Sequence, residues 1–149
     1  MASGALRAQF WRMEAATHRF EAHTGEVQVE LRAPDLPGLY REAALALAEV
    51  MAPGATCGAD AAAEEVEVEA RDPAALLVEW IDELIYRVDV TGKVYPSIEV
   101  ESADGRRLRA RVRGCVPERF KTAVKAATFH DLAIRETEDG YSAHLVLDV

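Results

Sequence analysis

Three short stretches of this chain bring together side chains capable of chemistry. His23-Thr24-Gly25-Glu26 places an imidazole, a hydroxyl and a carboxylate in one turn ahead of a strand. Taken alone, it also reads as an ordinary turn with a satisfied hydroxyl and a histidine resting on the core. Asp148 adjoins Val149, whose α-carboxylate puts a second anion one residue away. Oxygen-only ligands of that kind suit Ca²⁺ or Mg²⁺, and the plainer reading is a solvated chain end. In Lys125-Ala126-Ala127-Thr128-Phe129-His130, strand alternation puts Lys125, Ala127 and Phe129 on one face and Ala126, Thr128 and His130 on the other. A snorkelling edge lysine explains that arrangement equally well.

Other reactive patterns are weaker. Gly54 and Gly58 lack the Lys-Ser/Thr of a phosphate-binding loop, and no serine or cysteine sits in a nucleophile motif. His23, His130, His144 and Cys115 show no zinc-ligand spacing. Cys57 and Cys115 are far apart in sequence and are expected to be ordinary reduced thiols. A small metal-dependent hydrolase would need a base and an open coordination position, and no residue is assignable to either.

The balance of 17 basic against 26 acidic residues, net −9, repels a phosphate backbone and favours a cationic partner or a metal ion. Against that trend, Arg107, Arg109, Arg111 and Arg113 share one face of a strand. They either pair with a glutamate ladder on another strand or touch RNA or an acidic partner. The net charge favours the first.

These residues need a frame, and its centre is the stretch from Asp72 to Asp89. Asp72 is an N-cap and Pro73 suits the first helical position. Leu76, Leu77, Trp80, Ile81, Leu84, Ile85 and Val88 form one broad apolar face. A second helix runs from a cap at Asp35 through Leu36, Leu39, Tyr40, Ala43, Ala44, Leu47, Val50 and Met51 to a stop at Pro53-Gly54.

Alternation marks strands at His18–Glu21, at Val27 to Leu31 and at Val66 to Val68. Hairpin strands from Val94 to Glu101 and from Leu108 to Val116 are joined at Asp104-Gly105. Further strands are expected over Val124–Ala127, Leu132–Glu136 and Tyr141–Asp148, the last opened by Asp139-Gly140. Residues 1–17, where Leu6, Phe10 and Met13 make at most one amphipathic turn, are read as an extension outside a single folded unit. The order predicts an α+β two-layer domain with two helices on one face of a largely antiparallel sheet. No apolar run spans a membrane and no signal peptide opens the chain, so a cytoplasmic protein is expected.

Five segments, taken in order, resemble the archease family over His18 to Val149. They are Phe20-Glu21-Ala22-His23-Thr24-Gly25-Glu26-Val27, the helix from Ala43 to Met51, the stretch Leu77 to Tyr86, Lys125 to His130, and the ending Leu147-Asp148-Val149. The resemblance implies tandem strand-helix-strand-strand modules in a mixed or antiparallel two-layer fold. It also implies a non-enzymatic accessory protein of the RtcB-type RNA ligase, which acts in tRNA splicing and RNA repair. In that role it promotes guanylylation and multiple turnover of the ligase and meets RNA only indirectly. The alternative is a chaperone-like acidic modulator of a tRNA methyltransferase or another RNA-modifying enzyme, acting through the Glu65, Glu67 and Glu69 face.

The family's metal site, a Ca²⁺ site with Mg²⁺ or Mn²⁺ as further candidates, maps by position onto Glu26, Asp148 and Val149. His23, Lys125 and His130 map onto the partner-facing surface. Gly25 and Glu26 stand where the family has alanine and aspartate, so the carboxylate is displaced by about one methylene, which a hard-cation site of defined geometry feels.

Overall fold

A computed structural model describes residues 16–149. The strands are β1 (Thr17–His23), β2 (Glu26–Ala33), β3 (Ala63–Glu69), β4 (Val94–Ala103), β5 (Arg107–Cys115), β6 (Ala126–Thr137) and β7 (Gly140–Asp148). The helices are α1 (Leu36–Met51) and α2 (Pro73–Thr91). The expected extension lies outside the described residues except for Ala16 and Thr17, and Thr17 already opens β1.

Both helices begin as their sequences dictate. The Asp35 and Asp72 carboxylates accept from the Gly38 and Ala75 N–H groups, each at 2.8 Å, satisfying donors that the first turn leaves unpaired. Helix α2 ends on Gly92, whose left-handed φ of 72° lets its N–H return to Val88. All seven members of the predicted α2 stripe are buried.

The α+β architecture stands, and its sheet is divided in two. One sheet has the order β1-β2-β7-β6 and the other β3-β5-β4, with every neighbouring pair antiparallel. The chain crosses from one sheet to the other twice, through α1 between β2 and β3 and again between β5 and β6, where it meets the end of α1. There the Lys121 N–H donates to Met51 O at 2.8 Å, satisfying a carbonyl that the helix end leaves free.

The strands expected at Val124–Ala127 and Leu132–Glu136 belong to one strand, β6, which begins at Ala126, leaving Val124 and Lys125 ahead of it, and whose register against β7 shifts between Thr128 and Ala133. Residues 129–132 bulge out opposite Leu145 alone. A bulge breaks alternation locally, which is why the sequence reads as two strands.

The inner faces of both sheets and the apolar faces of both helices share one core. Each helix also reaches a strand edge. Arg41 of α1 donates to Ile98 O of β4 at 3.3 Å, and Asp82 of α2 accepts from the Ala127 N–H of β6 at 2.9 Å. The helices are tied together where Trp80 Nε1 donates to Tyr40 O at 2.8 Å and the Tyr40 hydroxyl donates to Pro73 O at 2.9 Å. Edge strand β1 is anchored by His18, whose ring lies 3.2 Å from the Glu42 carboxylate and 2.7 Å from that of Glu49.

Two expectations meet different outcomes here. Cys57 and Cys115 are joined in a disulfide, with Cα atoms 5.4 Å apart, and are not reduced thiols. Pairing of β3 with β5 sets Ala63 opposite Arg113, so the loop ahead of β3 arrives beside the end of β5 despite a sequence separation of 58. The arginine stripe takes the expected ladder role: Glu69 faces Arg107, Glu67 faces Arg109 and Glu65 faces Arg111. Ion pairs form at 2.9 Å (Arg107–Glu69) and 3.2 Å (Arg111–Glu65).

Candidate functional site

The site is built by register. The two-residue turn Thr24-Gly25, with Gly25 at φ 78°, closes β1 onto β2 and sets His23 opposite Glu26. Strand β7 then sets Asp148 opposite Glu26, and β6 sets Ala126 opposite Asp148. Directly paired residues project from the same face with Cβ atoms about 4.5–5.5 Å apart. His23, Glu26 and Asp148 therefore form a rib across three strands.

The face they share is the outer one. Val27, Val29 and Leu31 turn inward, buried to 4%, 0% and 1% exposure, and Glu26 and Gln28 alternate with them.

Backbone bonds close the corner. The Lys125 N–H donates to Asp148 O at 2.7 Å and the Val149 N–H donates to Gly25 O at 3.1 Å. Glu26 and Val149 are half-buried, whereas His23, Lys125 and Asp148 are exposed. The Glu26 carboxylate receives one hydrogen bond at 3.0 Å from the Gln28 amide to its Oε1.

His130 is the outlier. It sits in the β6 bulge, exposed, with its N–H donating to Thr128 Oγ1 at 3.1 Å. It therefore lies along β6 from the rib and is not a member of it.

Among the described residues, no three His, Cys, Asp or Glu side chains gather into a ready-made metal site. A hard cation at this corner would be held by Glu26 and Asp148 with the Val149 carboxylate as the third donor, an all-oxygen set of the kind such ions take. The donor chemistry suits such an ion, and register brings two of the three residues, Glu26 and Asp148, side by side. The zinc combination fails, because Cys115 is bonded to Cys57 and His144 is paired with Glu30.

A pocket of about 790 Å³ lies elsewhere, between residues 52–56 and 115–121, and none of the six candidate residues lines it. Sequence reasoning missed two supports of the corner. The Gln28 contact could be found from its two-residue spacing from Glu26 on one face. Asp82 reads as one more solvent carboxylate of α2, yet it holds the edge of β6 one residue from Ala126.

The sequence model of the Archease protein family (MTH1598/TM1083) matches residues 18–149. The protein archease of Archaeoglobus fulgidus is 30% identical over 136 residues, covering 89% of this chain and 98% of its own. That of Pyrobaculum neutrophilum is 32% identical over 144 residues, covering 90% and 96%. The solution structure of protein 1598 from Methanobacterium thermoautotrophicum superposes with a TM-score of 0.71 at 27% identity, covering 89% of this chain and 98% of its own. A Thermotoga maritima crystal structure, described as an archease and possible chaperone, superposes at 0.63 with 20% identity, covering 87% and 94%, and speaks for the fold alone.

Proposed function

The chain belongs to the archease family, and from that premise we propose that it is a non-enzymatic accessory protein of an RtcB-type RNA ligase, working through the corner built from Glu26, Asp148 and Val149. The observation that carries this reading is the register, which sets Glu26 opposite Asp148 and Ala126 opposite Asp148, with Lys125 bonded to the Asp148 carbonyl. Two carboxylates directly opposite on a sheet repel each other. Their arrangement is understandable where a cation or a cationic partner surface takes up the charge.

The division of labour follows from position. Glu26 and Asp148 present oxygens from neighbouring strands, and Lys125 offers a flexible cation beside them. His23 extends the rib toward the β1 edge. A divalent ion held there, Ca²⁺ or in its place Mg²⁺ or Mn²⁺, would supply a concentrated positive charge to a ligase whose guanylylation handles triphosphate. His130, on its bulge, would meet the partner beside that corner.

The modulator reading loses its assigned surface. Arg107 and Arg111 pair with Glu69 and Glu65, so that face presents matched charge to a basic client. A chaperone-like role would have to use the corner as well.

The test is multiple-turnover RNA ligation by the ligase of the same organism, with native protein and with Asp148→Lys. Sub-stoichiometric native protein should raise turnover, and Asp148→Lys should leave the ligase at its unassisted rate while keeping a native melting curve. Equal stimulation by the two would remove the corner from the mechanism.

A further inference from the structure

Glu26 and Gln28 are two residues apart on β2, so their side chains leave the same outer face of the sheet, and Gln28 Nε2 donates to Glu26 Oε1 at 3.0 Å. Gln28 has its own support. It stands opposite Val146 of β7 and Glu21 of β1, and Val146 is only 2% exposed although it is not part of the central core. Thr128 of β6 closes the row on the far side of Val146. The amide that reaches Glu26 is thus half-buried and rooted in a row with an apolar floor.

We propose that Gln28 is a positioning residue that pins the longer Glu26 side chain so that its carboxylate can serve as a divalent-cation ligand. This rests on the corner reading given above. A free glutamate loses more rotamer entropy when fixed than the shorter aspartate loses. A hydrogen bond to one oxygen fixes the carboxylate beforehand and leaves the second oxygen for the ion. Such outer partners of ligating carboxylates typically change metal affinity by 10–100-fold when removed. The extra methylene of Glu26 and the amide of Gln28 then act as a matched pair.

The experiment is calorimetric titration with CaCl₂ and, separately, MnCl₂, with melting temperature read in the presence and absence of each ion. The proteins are the native chain, Gln28→Met, Glu26→Asp and the double variant. Methionine keeps the length and apolar cover of Gln28 and removes the amide, and with it the donor to Glu26.

Gln28→Met should weaken ion binding about tenfold or more and shrink the ion-induced rise in melting temperature, with the metal-free melting temperature unchanged. Glu26→Asp in the Gln28→Met background should restore affinity, because the short carboxylate needs no tether. If the native chain binds neither ion, the metal part of the corner reading falls and this inference with it, while ligase stimulation tests the corner separately. If the native chain binds and Gln28→Met binds equally well, the corner stands and the role of Gln28 is overturned. The same holds if the double variant is no better than Gln28→Met.

Discussion

The outer face of the three-stranded sheet and one corner of the four-stranded sheet place their carboxylates in opposite company. On the three-stranded sheet, β3 sets glutamates opposite the arginines of β5, and Arg111 also lies 3.7 Å from Glu101 of β4. On the four-stranded sheet, Glu26 faces Asp148, and among the described residues neither takes part in an ion pair. A directly opposed like-charge pair weakens a sheet, and an opposite pair supports it. The Glu–Arg ladder helps hold the fold together, while the Glu26–Asp148 end of the other face, beyond its Glu30–His144 pair, carries an electrostatic cost that makes sense at a binding surface. Charge count alone would not separate them; register does.

The contrast extends to how each half is secured, and the largest expected effect tests that. The three-stranded half is closed by Cys57–Cys115, which spans 58 residues of sequence. A loop of that size corresponds to about 4 kcal/mol of constrained chain entropy. Denaturant unfolding with and without a reducing dithiol should therefore show a loss approaching that value, and an unchanged midpoint would contradict the assignment.

The four-stranded half is secured at its edge by a tie that titrates. Partial burial pulls the His18 pKa down, but hydrogen bonds accepted by Glu49 and Glu42 and the charges of those carboxylates outweigh it, leaving the pKa raised above 6.5. The folded value exceeds the unfolded one, so this stabilisation is complete below pH 6.5 and fades as pH rises through the raised value. His18→Leu removes the hydrogen-bond partner of Glu42, only 5% exposed, leaving it the 3.8 Å contact with Arg41, and should cost about 1–3 kcal/mol. The gap between the two proteins should narrow toward alkaline pH, and a gap independent of pH would rule out the charged tie.

The smallest effects sharpen the contrast most, because their signs differ. Arg111→Ala should lower the metal-free melting temperature slightly, and less so in high salt. Glu26→Gln should leave it level or raise it, within about 0.5 kcal/mol, while removing the ion-induced shift. Two changes of the same sign would erase the distinction between the faces.

Much of this frame is legible in the sequence because it is local. The Asp35 and Asp72 caps, the α2 stripe and the hairpin at Asp104-Gly105 each depend on residues within a few positions of one another. The parity of Arg107 to Arg113 against Glu65 to Glu69 is equally readable, since alternation fixes faces before any pairing is known.

The pairing itself is not local. Nothing near Glu26 says that β2 lies beside β7, and that one fact builds the corner; only the family resemblance anticipated it. The same gap conceals the disulfide, which requires β3 to lie against β5, and the role of Asp82, whose target N–H comes from β6. The bulge at 129–132 is hidden for a different reason: an interrupted alternation has the same pattern as two strands.

The side chains that reach across the sheet edges decide what this molecule does when crowded. Arg41 occupies a β4 carbonyl and Asp82 a β6 amide, so neither strand offers a clean row of backbone groups to a newcomer. The β3 edge carries Glu64, Glu65 and Glu69 already engaged with Arg87, Arg111 and Arg107, and a strand docking there would have to disturb those pairs. Among the described residues that leaves β1, with His18, Arg19, Glu21 and His23 of mixed charge, as the edge from which strand-by-strand growth of an aggregate would begin.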